Sequence, residues 1–71
     1  MVSDSAKLAA RIREERKRQE MSQEKLAEAA GLSRQGIVKI ESGDSGIQLS
    51  SLRAIAKALH VSVGWLLGRA A

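Results

Sequence analysis

The sequence predicts an all-α fold, a compact five-helix bundle, and three observations carry that expectation. Apolar residues recur at intervals of three and four along most of the chain, the spacing of one helix face. Proline is absent, so no helix pattern is interrupted from within. Gly31 and Gly43 stand where two helical patterns stop, at positions suited to a left-handed closing residue.

The first helix runs from a Ser5 cap to about Gln19, with Leu8, Ala9 and Ile12 on one face and Arg16 one turn further. Its other faces carry Lys7, Arg11, Arg13, Lys17 and Arg18, countered by Glu14 and Glu15. These read as a solvated surface, with a phosphate-facing one as the alternative. Ser22 caps the second helix by accepting a bond from a first-turn backbone N–H. Leu26, Ala29 and Ala30 follow at helical spacing, Gly31 ends the helix, and Leu32 tucks back against it. Ser33 caps a third helix, in which Ile37 and Ile40 recur three apart on the inward face. Glu41, Ser42 and Gly43 close it. A polar loop over Ser42 to Gln48 leads to a fourth helix, whose inner stripe is Leu49, Leu52, Ile55, Ala56 and Leu59. Ser62 caps a short fifth helix containing Trp65, Leu66 and Leu67.

Two short helices around a Gly-Leu-Ser turn, Met21 to Gly43, form the helix-turn-helix plan, whose second helix enters the DNA major groove. With Ile37 and Ile40 turned inward, Arg34, Gln35, Val38 and Lys39 lie on or near the outer side. Arg and Lys donate to guanine O6 and N7, and Gln pairs bidentately with adenine. A merely solvated helix face accounts for the same composition; the capped helix pair favours DNA. A protein-interaction module is the rival function, with a toxin-binding antitoxin as a mixed case. A protein-binding groove favours large apolar residues on that face, and only Val38 qualifies.

The 71 residues make one small domain. Residues 1–5 read as a frayed N-terminus, 6–68 as the domain and 69–71 as a short tail, with no repeat, low-complexity tract or linker. Twelve basic against eight acidic residues give a net charge of +4 and suit a polyanion. Cysteine is absent and His60 stands alone, which argues against disulfides and metal sites. No acid is placed to orient a His60–serine pair, and no glycine loop cradles phosphate. Neither catalytic residues nor cofactors are therefore expected, and no small-molecule substrate is evident. Without an apolar run of membrane-spanning length or a signal peptide, the expected location is the cytoplasm, in association with the nucleoid.

Met21 to Gly43 resembles the helix-turn-helix of the lambdoid phage repressor and Cro family, also called XRE-type regulators. Ile12 to Gln23 is similar to the family's first helix, and Ala58 to Gly68 to its closing helix with a tryptophan, so the match runs from about Ala6 to Gly68. The resemblance implies a lambda repressor-like domain acting as a dimeric repressor, which reads a palindromic operator on double-stranded DNA. By the same resemblance Arg34, Gln35 and Lys39 touch base edges, while Gln23 bonds a phosphate and Ser33 caps close to the backbone or to a thymine methyl. Gly36 fits where a small residue allows close approach. Phage repressors often carry basic residues after the third helix, where this chain has Asp44 and Ser45. Backbone contacts there fall to serine hydroxyls such as Ser45, or to backbone N–H groups. The resemblance also pairs Arg16 with Glu41, answering the cost of a charge on an apolar stripe. It places Leu66 and Leu67 at a homodimer contact, with Trp65 either joining them or sealing the C-terminal end of the core, and His60 where the family usually has glycine.

Overall fold

The computed structural model describes residues 4–44 and 46–68, which form five α-helices and no strand. These are α1 (Asp4–Arg18), α2 (Gln23–Ala30), α3 (Arg34–Ser42), α4 (Leu49–Leu59) and α5 (Val63–Leu66). Asp4 and Ser5 are already helical, so α1 starts one residue ahead of the expected Ser5 cap. The other residues expected to fray, 1–3, and the expected tail, 69–71, lie outside the described residues.

Serine sets three helix starts. The hydroxyl oxygens of Ser22, Ser33 and Ser62 accept bonds from the N–H groups of Lys25, Gly36 and Trp65 at 3.0, 3.0 and 2.9 Å. Each satisfies one of the orphan donors of a first turn. Gly36 is tied to its cap: a Cβ there would sit 3.1 Å from the Ser33 hydroxyl oxygen.

Three helices also end alike. Glu20, Gly31 and His60 have φ of 57°, 69° and 59°, in the left-handed region. The next residue donates its N–H five residues back, from Met21 to Arg16, Leu32 to Ala27 and Val61 to Ala56. This closure satisfies carbonyls that the helix leaves unpaired. Only one of the three is glycine, and α1 ends at Arg18, within one residue of the expected Gln19.

The core is built from Leu8, Ile12, Leu26, Ala27, Ile37, Leu52, Ile55, Ala56, Leu59 and Leu66, drawn from all five helices. α2 packs against both α3 and α4, α1 crosses α3, and α5 fits against α1 and α4. Ile12, Leu26, Ile37, Ile55, Leu59 and Leu66 have less than 2% of their surface exposed. Burying each such side chain stabilises the fold by about 1.5–3 kcal/mol before entropy is counted.

The structure corrects three expectations about packing. Leu49 is 55% exposed and does not join the inner stripe of α4, which begins at Leu52. Leu49 is the first residue of that helix, and periodicity alone does not reveal where the facing helix ends. In α2 the buried alanine is Ala27, while Ala29 faces solvent. Leu66 is fully inside the protomer's own core, so it offers no surface to a second copy.

Candidate nucleic-acid interface

Short capped helices place the outward residues of α3. Ile37 and Glu41 face inward and are buried, which turns Arg34, Gln35, Val38 and Lys39 to solvent. These four surround a shallow depression of about 260 Å³. A second depression, of about 380 Å³, joins the starts of α2 and α3 and is lined by Arg16, Ser22, Gln23, Glu24 and Arg34. Arg34 therefore borders both, between the face of α3 and the opening turn of α2.

Behind this surface stands a buried polar hub. The Arg16 guanidinium donates from Nε to Glu41 Oε2 at 2.7 Å and from Nη2 to Glu41 Oε1 at 3.0 Å. The two side chains are 10% and 3% exposed. Nη1 of Arg16 donates to the carbonyl of Met21 at 2.8 Å, in the link between α1 and α2. Gln23 donates from Nε2 to Glu41 Oε1 at 3.1 Å, and Arg13 donates to the Glu41 backbone carbonyl. One carboxylate thus ties α1, α2 and α3 together. Bidentate pairing satisfies both charges at once, the condition for keeping them away from water. No buried side-chain nitrogen or oxygen among the described residues lacks a partner.

The other site residues fall as follows. Gln23 is half-buried, with its amide held on Glu41. Ser33 is exposed, and its hydroxyl oxygen serves as the α3 cap. Ser42, at the end of α3, spends its hydroxyl hydrogen on the Lys39 carbonyl at 2.6 Å. Ser45 lies outside the described residues. Trp65 is half-buried and Leu67 is 42% exposed, beside the buried Leu66.

Two residues acquire roles that the sequence reading did not give them. Arg11, assigned there to a solvated face, donates from Nε to the Trp65 carbonyl at 2.9 Å and lies over the indole ring, 4.5 Å from its centroid. It joins α1 to α5 through a hydrogen bond and a cation–π contact. Glu15 is 1% exposed and accepts from Arg18 Nη2 at 2.6 Å and from Gln19 Nε2 at 2.8 Å. The hydrogen bond from Arg18, then that from Gln19, hold its carboxyl below the usual carboxylate range against the opposing cost of burial. Gln19 also donates to the Leu59 carbonyl at 2.7 Å, which links the ends of α1 and α4. The available signal was spacing: Glu15 falls three residues after Ile12, on the inward stripe.

Among the described residues no cluster of three or more His, Cys, Asp or Glu is placed to hold a metal. No helix among them is long and apolar enough to cross a membrane.

Comparison with known proteins places this geometry. A family model described as helix-turn-helix matches residues 12–66. Control protein C.SmaI of Serratia marcescens is 44% identical over 62 residues, which cover 87% of this chain and 74% of that protein. The solved structure of the restriction-modification controller protein C.AhdI from Aeromonas hydrophila superposes with a TM-score of 0.85 at 33% identity, covering 89% of this chain and 96% of that one. A hypothetical transcription factor, NHTF, from Neisseria superposes with a TM-score of 0.86 at 35% identity, over 92% of this chain and 75% of that one.

Proposed function

Because this chain belongs to the helix-turn-helix family of DNA-binding transcription regulators, we propose that it acts as a dimeric controller reading a palindromic operator through the major groove. Members of this family bind double-stranded DNA and are not enzymes. The observation that carries the finer reading is the outer face of α3, where three long donor-bearing side chains, Arg34, Gln35 and Lys39, stand exposed on a helix fixed from behind by Glu41. In that reading the three touch base edges, and Gln23 and the first turn of α2 hold a phosphate. The second N–H of the Gln23 amide is then the one that reaches the phosphate.

Similarity to two controller proteins, one of them named for restriction-modification, supports a regulator of that kind. Repression is its expected direction, and the cytoplasm, where the chromosome lies, its site of action. A two-fold dimer is supported by the small size of the fold and by the exposed apolar surface of Leu67, with the half-buried Trp65 close by in the closing helix. With Leu66 committed to the core, that contact rests on these two.

Selection of bound duplexes from a random DNA pool, followed by sequencing, tests the whole reading. A palindromic consensus is the expected result, and Arg34→Ala or Gln35→Ala relaxes preference at one base pair per half-site at a cost of about 1–3 kcal/mol. An unenriched pool, or variants with unchanged affinity and preference, would shift the assignment to a protein-interaction module.

A further inference from the structure

Val38 has no task in the fold. It is 45% exposed, lies outside the core, and is a β-branched residue on a nine-residue helix, where it weakens rather than aids helix formation. A lone exposed valine carries no meaning by itself. Its surroundings give this one a role. Val38 stands one turn after Arg34, three residues after Gln35 and beside Lys39, and the four line the depression of about 260 Å³ on the outer face of α3. The walls of that depression are mostly carbon, although each of its three other residues ends in hydrogen-bond donors.

Such a surface, an apolar floor rimmed by donors, matches one feature of the DNA major groove. Base edges there present acceptors and amino groups, and the C5-methyl of thymine is the apolar group among them. 5-Methylcytosine carries the same methyl at the same ring position. We propose that Val38 reads a pyrimidine C5-methyl group and so sets specificity at one base pair per half-site. This rests on α3 being the base-reading helix. Arg34, Gln35 and Lys39 supply the polar contacts on either side, and Val38 supplies discrimination at a position where none of them forms a hydrogen bond. The interaction is desolvation of one methyl against the valine γ-methyls, so its size is that of a single buried carbon, about fourfold in affinity.

The test uses the duplex selected from a random pool by the wild-type protein. Each thymine is replaced singly by deoxyuridine, which removes only the methyl, and each cytosine by 5-methylcytosine, which adds only the methyl. Wild-type protein is expected to lose about fourfold at one thymine per half-site, or to gain about fourfold at one methylated cytosine; which of these occurs identifies the source of the methyl. Val38→Ala is expected to bind the methylated and unmethylated forms of that site equally. Val38→Thr keeps one γ-methyl and retains part of the discrimination. Because residue 38 is exposed, both variants are expected to keep the wild-type circular dichroism. The proposal is overturned if no C5-methyl matters to the wild type, or if Val38→Ala discriminates as well as the wild type does. A pool that yields no enriched sequence would overturn the DNA-reading assignment itself.

Discussion

Replacing Glu41 by Ala removes the centre of the buried hub, and the geometry fixes what is lost. Two charge-assisted bonds from Arg16, at 2.7 and 3.0 Å, disappear together with the bond from Gln23. Gln23 is half-buried and can turn to water, so its loss is small. Arg16 is confined: its side chain is 10% exposed and keeps only the Met21 carbonyl as a partner. An uncompensated buried guanidinium costs about 3–5 kcal/mol. A 71-residue domain at ~0.05–0.15 kcal/mol per residue holds about 4–11 kcal/mol in total. The variant is therefore expected to lie at the edge of folding. In urea denaturation followed by circular dichroism, with a slope near 1 kcal/mol per molar, the midpoint should fall by about 3 M or more. Glu41→Gln keeps one acceptor oxygen and should lose about 1.5–3 kcal/mol. The paired replacement Arg16→Met with Glu41→Leu removes both charges and should be neutral or stabilising by about 1–4 kcal/mol. A loss below about 1 kcal/mol for Glu41→Ala would refute the reasoning, since that is the scale of an exposed pair.

Three further outcomes follow from features at other positions. Gln23→Ala should weaken binding to all duplexes by a similar factor and preserve their ranking, and because Gln23 is neutral the slope of log affinity against log salt should stay unchanged; gel-shift titrations at several salt concentrations read all three. Glu20→Gly and His60→Gly relieve side chains held at positive φ and should each raise stability by about 1 kcal/mol, whereas His60→Val should lower it; urea midpoints decide. The lowered pKa of Glu15 means the unfolded chain takes up its proton first as pH falls. Its stabilisation is thus complete above the ordinary carboxylate range, at ~4.3, and is lost as pH drops through the lower folded value. Glu15→Gln should flatten the acid limb of a stability–pH curve, and an unaltered limb would assign that limb to other groups.

Helix existence and order were legible because caps and periodicity are local signals. Ser22, Ser33 and Ser62 announce helix starts by chemistry written within three residues of each helix. Burial at helix ends was less legible, because it depends on where a distant helix stops. Leu49 fits the α4 stripe by spacing and still faces solvent. Leu66 looked like spare apolar surface, yet α5 packs between α1 and α4 and takes it into the core. Glu15 and Arg11 show the same limit for charges. A helix rich in ions reads as solvated until the partners that bury or stack them, Gln19 with Leu59 and Trp65, are brought alongside by the fold. The outer face of α3 was the most legible part of the site, since the inward Ile37 fixes by elimination which residues point out.

The stacking of Arg11 on Trp65 has a practical consequence. Trp65 is the sole aromatic residue of the chain, which has no Tyr or Phe, so ultraviolet emission arises from one indole at one known place. That indole sits at the junction of α1 and α5, beneath the Arg11 guanidinium and on a different helix from Arg34, Gln35 and Lys39. Its colour and lifetime therefore report on this junction alone, without a label and without background from a second fluorophore. Under the proposed function, a duplex at α3 and a second copy beside α5 are separable events, because the proposed dimer contact includes the lamp and the proposed base contacts do not.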